Sequence, residues 1–290
     1  MRLGYITAVL LFLRGLFPSL AVAQEQNSTA LPISTYTAIT IGVGGMYNTD
    51  QFLSPLPYGG KAYEIGLHTE APFSATLPCM IMVDGAFDYA LTLNPARNAS
   101  MTYYRAELHP QVMYLWSLPH DIKFLLGPGL RLGGGGRLHS RNSNNPGSVD
   151  LKGDLTVSAL AAYRLPSEHW PIAIRLSTTC GLLGFANSIG YGQSYYEQEF
   201  LAGGLMKSFS FTAPHNTFYS TSQMRIDIPL WNVCTLQLGY RLQYDYTQLK
   251  GLERRHIQHM GMVGFSFESL SFMGRRAARG ASHRPFLFGN

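Results

Sequence analysis

The sequence predicts an all-β fold: an up-and-down antiparallel β-barrel of ten strands that spans a membrane. Three observations carry this. First, residues 234–247 alternate without a break. Cys234, Leu236, Leu238, Tyr240, Leu242, Tyr244 and Tyr246 form one face, and Thr235, Gln237, Gly239, Arg241, Gln243, Asp245 and Thr247 form the other. A two-residue period is that of a strand, and this one exceeds the roughly 5–6 residues of an ordinary strand. It suits a tilted membrane strand, whose hydrocarbon crossing takes roughly 9–11 residues. Second, charged residues make up only 13% of the chain while apolar ones make up 46%; soluble domains carry roughly 25% charge. Third, short breaks alternate with long ones, as between the two ends of a membrane barrel.

The opening residues read as an export signal. Arg2 precedes a mostly apolar run, and Ala21-Val22-Ala23 is a small-residue cleavage site that would leave Gln24 first. The apolar run falls short of the roughly 20 residues of a spanning helix. Residues 1–23 are therefore expected to be a cleaved signal peptide, 24–34 a periplasmic segment, 35–268 the barrel and 269–290 a basic tail. Arg275, Arg276, Arg279 and Arg284 in that tail supply much of the net charge of +5 and could meet lipid headgroups. Cys79, Cys180 and Cys234 fall on faces assigned to lipid, where they act as small apolar fillers.

The strands follow in order. Ile39, Ile41 and Val43 mark the first. Tyr63, Ile65 and Leu67 oppose Glu64 and His68 in the second. Ile81, Val83, Phe87 and Tyr89 oppose Asp84 and Asp88 in the third. Leu108, Val112, Tyr114 and Trp116 oppose Arg105, Glu107, His109 and Gln111 in the fourth. Ile122, Phe124, Leu126 and Leu130 oppose Lys123 and Arg131 in the fifth. Leu155, Val157, Ala159 and Tyr163 oppose Asp154, Thr156, Ser158 and Arg164 in the sixth, and Ile172, Ile174 and Leu176 oppose Arg175, Ser177 and Thr179 in the seventh. Met224, Ile226, Ile228 and Leu230 oppose Gln223, Arg225 and Asp227 in the eighth. Residues 234–247 are the ninth, and Val263, Phe265 and Phe267 mark the tenth.

The breaks near residues 117–120, 166–169 and 230–232 are short, and Trp116, Trp170 and Trp231 stand beside them as one aromatic girdle. Tyr89, Tyr240, Tyr244 and Tyr246 approach the other rim. Residues 133–150, with Gly133 to Gly136, read as a long flexible loop, and residues 184–216 as a longer one. Strand parity gives ten strands if the latter is a single outer loop and twelve if it hides a strand pair. A secreted β-sandwich also alternates, but its outer faces would carry more charge.

Tyr191-Gly192-Gln193-Ser194-Tyr195-Tyr196-Glu197, His215-Asn216 and the hairpin around Asp227-Ile228-Pro229-Leu230 resemble uncharacterised outer-membrane barrels of Bacteroidetes. The resemblance covers roughly the last third of the chain. Two residues, Gln198 and Glu199, intervene before Phe200 where that family has a phenylalanine soon after the glutamate. It implies a bacterial outer-membrane location and a barrel, and no reaction. Residues 191–197 with His215 and Asn216 become the candidate ligand-binding loop.

Asp84, Asp88, Arg105, Glu107, Arg175, Arg225, Asp227 and Arg241 fall on inward faces with both signs of charge. In a barrel this narrow they are expected to interlock and fill the lumen; the competing reading is a small-solute path with a charged constriction. Asp245 and His256 flank residues 246–254, read as an outer loop, and an Asp–His pair can polarise water. They are the candidate catalytic residues of a rim hydrolase, a protease or lipase; His215, Asn216 and Ser220 are weaker lipase candidates. No spacing of metal ligands, dinucleotide fingerprint or nucleic-acid module is present, so no cofactor, metal or nucleic acid is expected. The expected partners are outer-membrane lipid and a small solute or surface ligand. The leading reading is a structural or surface-binding barrel, with the channel second and the hydrolase third.

Overall fold

The structure is a computed structural model that describes residues 35–73, 77–143, 145–166, 172–190, 194, 205–230 and 234–268. The proposed signal peptide, the basic tail, Trp170 and Trp231 lie outside the described residues.

The strands are β1 (Tyr36–Asp50), β2 (Ser54–Pro72), β3 (Cys79–Leu93), β4 (Ser100–Leu118), β5 (Ile122–His139), β6 (Gly147–Arg164), β7 (Ala173–Asn187), β8 (Phe209–Thr212), β9 (Thr217–Leu230), β10 (Cys234–Leu249) and β11 (Leu252–Glu268). Each pairs antiparallel with its neighbour in sequence, with β8 and β9 both on β7, and β1 meets β11 to close the ring. β7 pairs with β9 from Ala173↔Asp227 to Cys180↔Ser220, and with β8 from Gly184↔Thr212 to Asn187↔Phe209. β8 and β9 therefore share one edge of β7, and residues 213–216 bow out between them. Together they form the eighth wall strand of a closed ten-stranded barrel. Among the described residues of the long interval, only the short 3-10 turn Leu205–Ser208 precedes β8, so the twelve-strand count does not hold.

Alternation places the large apolar side chains outward. Ile41, Ile65, Leu176 and Phe185 are 56–63% exposed, whereas Arg105 and Arg131 inside are 1% and 0% exposed. A wall with apolar residues outside and ionised ones inside inverts the order of a water-soluble domain. It also removes the sandwich alternative, because one closed sheet has no second sheet to cover its apolar face. At the short-turn end Trp116 packs on Tyr114 and Phe124 with ring centroids 4.6 and 5.7 Å apart. Tyr240, expected near the other rim, falls mid-strand in β10. The three cysteines carry no disulfide.

Three loop expectations are corrected. The stretch 133–150 is wall: β5 runs to His139 and β6 begins at Gly147, leaving residues 140–146 as the loop. The reason is steric. A Cβ on Gly135 would lie 2.2 Å from the Tyr104 carbonyl oxygen, and one on Gly133 would lie 2.5 Å from Arg105 Nη2. The glycines are there so that β4 and its buried arginine can approach β5. Residues 246–254 are likewise wall except for the turn Lys250-Gly251, both with positive φ (50° and 77°), the two-residue hairpin whose twist matches the strands. At the same end, β1 and β2 are joined by residues 51–53 alone, so that end mixes tight turns with longer loops.

Gly135→Ala is expected to lower stability by about 1–3 kcal/mol, since neither backbone can yield without strain. Gly153→Ala, whose added Cβ would meet only Leu132 Cδ2 at 3.5 Å, should stay within about 0.5 kcal/mol. Urea unfolding in detergent micelles compares the two.

Candidate functional site: the packed lumen

Inward positions from five strands, β10 included, gather around Asp245 of β10. Lys152 Nζ donates to its Oδ1 at 2.6 Å, and Arg105 Nη1 and Arg131 Nη1 donate to its Oδ2 at 3.2 and 3.3 Å. Lys152 also donates to Thr247 Oγ1, 2.6 Å away. Arg131 reaches Asp154 at 2.5 Å and lies 3.5 Å over the Tyr219 ring, whose hydroxyl donates to Glu107. Arg105 pairs with Glu107 at 3.1 Å. These groups come from β4, β5, β6, β9 and β10, so the tier ties opposite walls together. Charged hydrogen bonds of this kind are the stronger sort, and removing one partner strands the others in a dry interior.

A second tier sits toward the short-turn end. Arg175 pairs with Glu70 at 2.5 Å and Asp227 at 2.6 Å, and Arg225 with the same two at 3.1 and 3.3 Å. His68 places Nε2 2.6 Å from Glu70 and Nδ1 2.5 Å from Asp84, so both ring nitrogens face carboxylates. Beside these charges Met80, Met82, Met113, Leu125 and Leu160 pack as an apolar plug. Arg241 joins Glu64 and Asp88. A third tier lies toward the loop end, where Arg137 and Arg254 face Asp50 and Asp150 at 3.1–3.8 Å.

Between the first two tiers lies a cavity of about 110 Å³, bordered by His68, Asp84, His109, Gln111, Thr179 and Gln223. Gln111 Nε2 donates to Asp84 at 2.7 Å, and His109 Nε2 meets Thr156 Oγ1 at 2.8 Å. The volume admits a few waters.

The predicted lumen charges thus all sit inside. Asp84, Asp88, Arg105, Glu107, Arg175, Arg225, Asp227 and Arg241 each take part in an ion pair of these tiers or their links. Asp245 and His256 are register partners, as a symmetric hairpin demands. They are buried wall residues and not loop flanks. Asp245 is held by three cations, while His256 Nε2 turns to Gln258 Oε1 at 3.0 Å and its ring lies 4.9 Å from that of Tyr103. Of the candidate loop, Tyr191, Gly192, Gln193, Tyr195, Tyr196 and Glu197 lie outside the described residues. Asn216 accepts from Ala213 N at 2.9 Å and donates to Phe211 O at 3.1 Å, holding the bend between β8 and β9, and His215 beside it is exposed.

The methionine plug and the third tier were missed by the sequence reading. Met80 and Met82 interleave with Ile81 and Val83, so the segment is apolar on both faces and the inward signal is masked. Arg137, Asp150 and Arg254 stood in segments read as loop, and Asp50 lies beyond the residues that marked the first strand.

The chain belongs to a family described as "Protein of unknown function (DUF3316)", whose profile matches residues 7–276. No curated protein matches it. Among solved structures it is similar to outer membrane protease OmpT from Escherichia coli, at 8% identity and TM-score 0.49, covering 83% of this chain and 99% of that one. It is similar to the transport unit of the autotransporter AIDA-I from Escherichia coli, at 9% and 0.44, covering 87% and 94%. It is also similar to the translocator domain of autotransporter NalP from Neisseria meningitidis, at 10% and 0.41, covering 90% and 96%. The closure of the barrel follows from the strand register and not from these likenesses, and a shared fold assigns no activity.

Asp245→Asn is expected to cost about 3–5 kcal/mol, because three buried cations lose their shared counter-charge. Asp121→Asn breaks the exposed Arg164–Asp121 pair (2.5 Å) and should cost at most about 1 kcal/mol. Adding salt should erase the second effect and leave the first.

Proposed function

We propose that this chain is a bacterial outer-membrane barrel that does not conduct and that acts through what its outer surfaces bind. The observation that supports this most is the filled lumen: ion-paired tiers and a methionine plug occupy the interior at successive heights. A ten-stranded barrel is narrow enough for side chains to fill, and the outward apolar wall fits hydrocarbon. The short-turn end would face the periplasm after export through a cleaved signal at residues 1–23. The loop of residues 191–197, with His215 and Asn216, would bind a surface ligand. A source among the Bacteroidetes belongs to the same proposal. Asp245 and His256 lend the hydrolase little support, since both are buried and engaged by structural partners.

A small-solute channel is the second reading. The polar cavity of about 110 Å³ between two tiers favours it, because a path through a barrel needs hydrated space flanked by rearrangeable charges. Recordings in planar bilayers separate the two. The sealed barrel predicts a flat baseline with the purified protein inserted, and steady conductance steps would establish the channel in its place. Insertion itself is read from a heat-modifiable band on a detergent gel and from refolding that requires detergent or lipid.

A further inference from the structure

The outward faces of the described strands carry almost no ionisable groups. By alternation, the Asp, Glu, Lys, Arg and His side chains of β1 to β10 turn inward, with Lys61 the exception; β11 adds Glu253, Arg255 and His259. These four stand together on β2 and β11, the two strands that flank β1. Glu253 and Arg255 answer each other at 2.8 Å near the loop rim, with Arg255 over the Tyr246 ring. Lys61 and His259 are exposed, and no carboxylate among the described residues pairs with either.

The two meet across a glycine. Gly45 of β1 is the register partner of both His259 and Lys61. A Cβ on Gly45 would fall 2.6 Å from His259 Nε2, so the imidazole lies over β1 only because residue 45 has no side chain. The ring thereby reaches toward the neighbouring strand that carries Lys61. Gly59 and Gly261, also outward, leave the wall low on either side. Toward the barrel middle the surface is greasy: Ile41, Val43, Tyr63, Ile65 and Val263 are each 45–63% exposed. An unpaired lysine on an apolar wall is costly unless it lifts its ammonium toward the headgroups or meets an anion there.

We propose that the outward wall of β2, β1 and β11 is a binding site for an outer-leaflet lipid that carries phosphate on its headgroup. Lys61 and His259 hold the phosphate over Gly45, and the acyl chains run down the Ile41–Val43 ridge. The site rests on the reading that the barrel lies in the outer membrane with its loop end outward. The occupant is a lipid and not a second barrel, because two like-charged patches would repel across a two-fold contact.

The test uses the full mature chain refolded in dodecyl maltoside, probed by native mass spectrometry with diphosphoryl lipid A and with a phosphate-free galactolipid. Wild type should retain lipid A in preference to the galactolipid. Lys61→Gln with His259→Gln should weaken retention about tenfold, while Lys61→Arg keeps it. Both variants are checked for the heat-modifiable band, and Lys61→Gln alone carries the test if the double variant does not fold. Equal retention by wild type and the double variant overturns the site, as does equal retention of the galactolipid. A lipid-free dimer that Lys61→Gln dissolves overturns it in favour of a second copy. A chain that folds in buffer without detergent removes the membrane reading itself.

Discussion

β1 meets β11 through an unbroken antiparallel register from Tyr36↔Glu268 to Asp50↔Arg254, and this seam leaves the sheet without a free edge. In hydrocarbon a backbone amide finds no other partner, so a wall of strands must satisfy itself. Closure then fixes the rest. Once the ring is shut, each strand has an inside and an outside, and a period of two divides its residues between them. The apolar half meets the surroundings. The other half is confined with its counterparts from the opposite wall, and charge of either sign must find its complement there.

That confinement explains the tiers. Asp245 alone cannot balance Lys152, Arg105 and Arg131, and the surplus is met by Asp154 and Glu107. Residues far apart in the chain become mutual conditions for burial: Glu70 and Arg225 are 155 positions apart, and Glu64 and Arg241 are 177 apart. Such lattices are not a large source of net stability against an apolar filling. They do make wrong strand orders expensive, because a shifted register would set like charges against each other. The methionine plug complements them with flexible apolar side chains that fit irregular gaps.

The strand faces were readable because alternation is a local property. Ile39, Ile41 and Val43, or Leu238, Tyr240 and Leu242, declare their side without reference to the rest of the molecule. The Asp245–His256 juxtaposition was readable as well, because a hairpin's register follows from its turn. What sequence could not convey was contact between non-neighbours. Whether Asp245 was open to water depended on Lys152 and Arg131, more than ninety positions away. Turn chemistry misled where it was atypical: Lys250-Gly251 lacks the asparagine or aspartate usual in this hairpin, and Gly133 to Gly136 carry no side chain from which a face could be read.

That glycine run has a wider meaning for how such chains diverge. Gly133 is empty so that the Arg105 guanidinium can occupy the space, and Arg105 in turn answers Asp245. A drifting lineage could not fill position 133 without first surrendering the arginine and then its acid, and position 135 stays closed by the β4 backbone in any case. The three positions are bound to change together or stay fixed together. A stretch without functional groups would therefore look, in a comparison of descendants, as guarded as a reactive centre, and for a reason that is purely one of room.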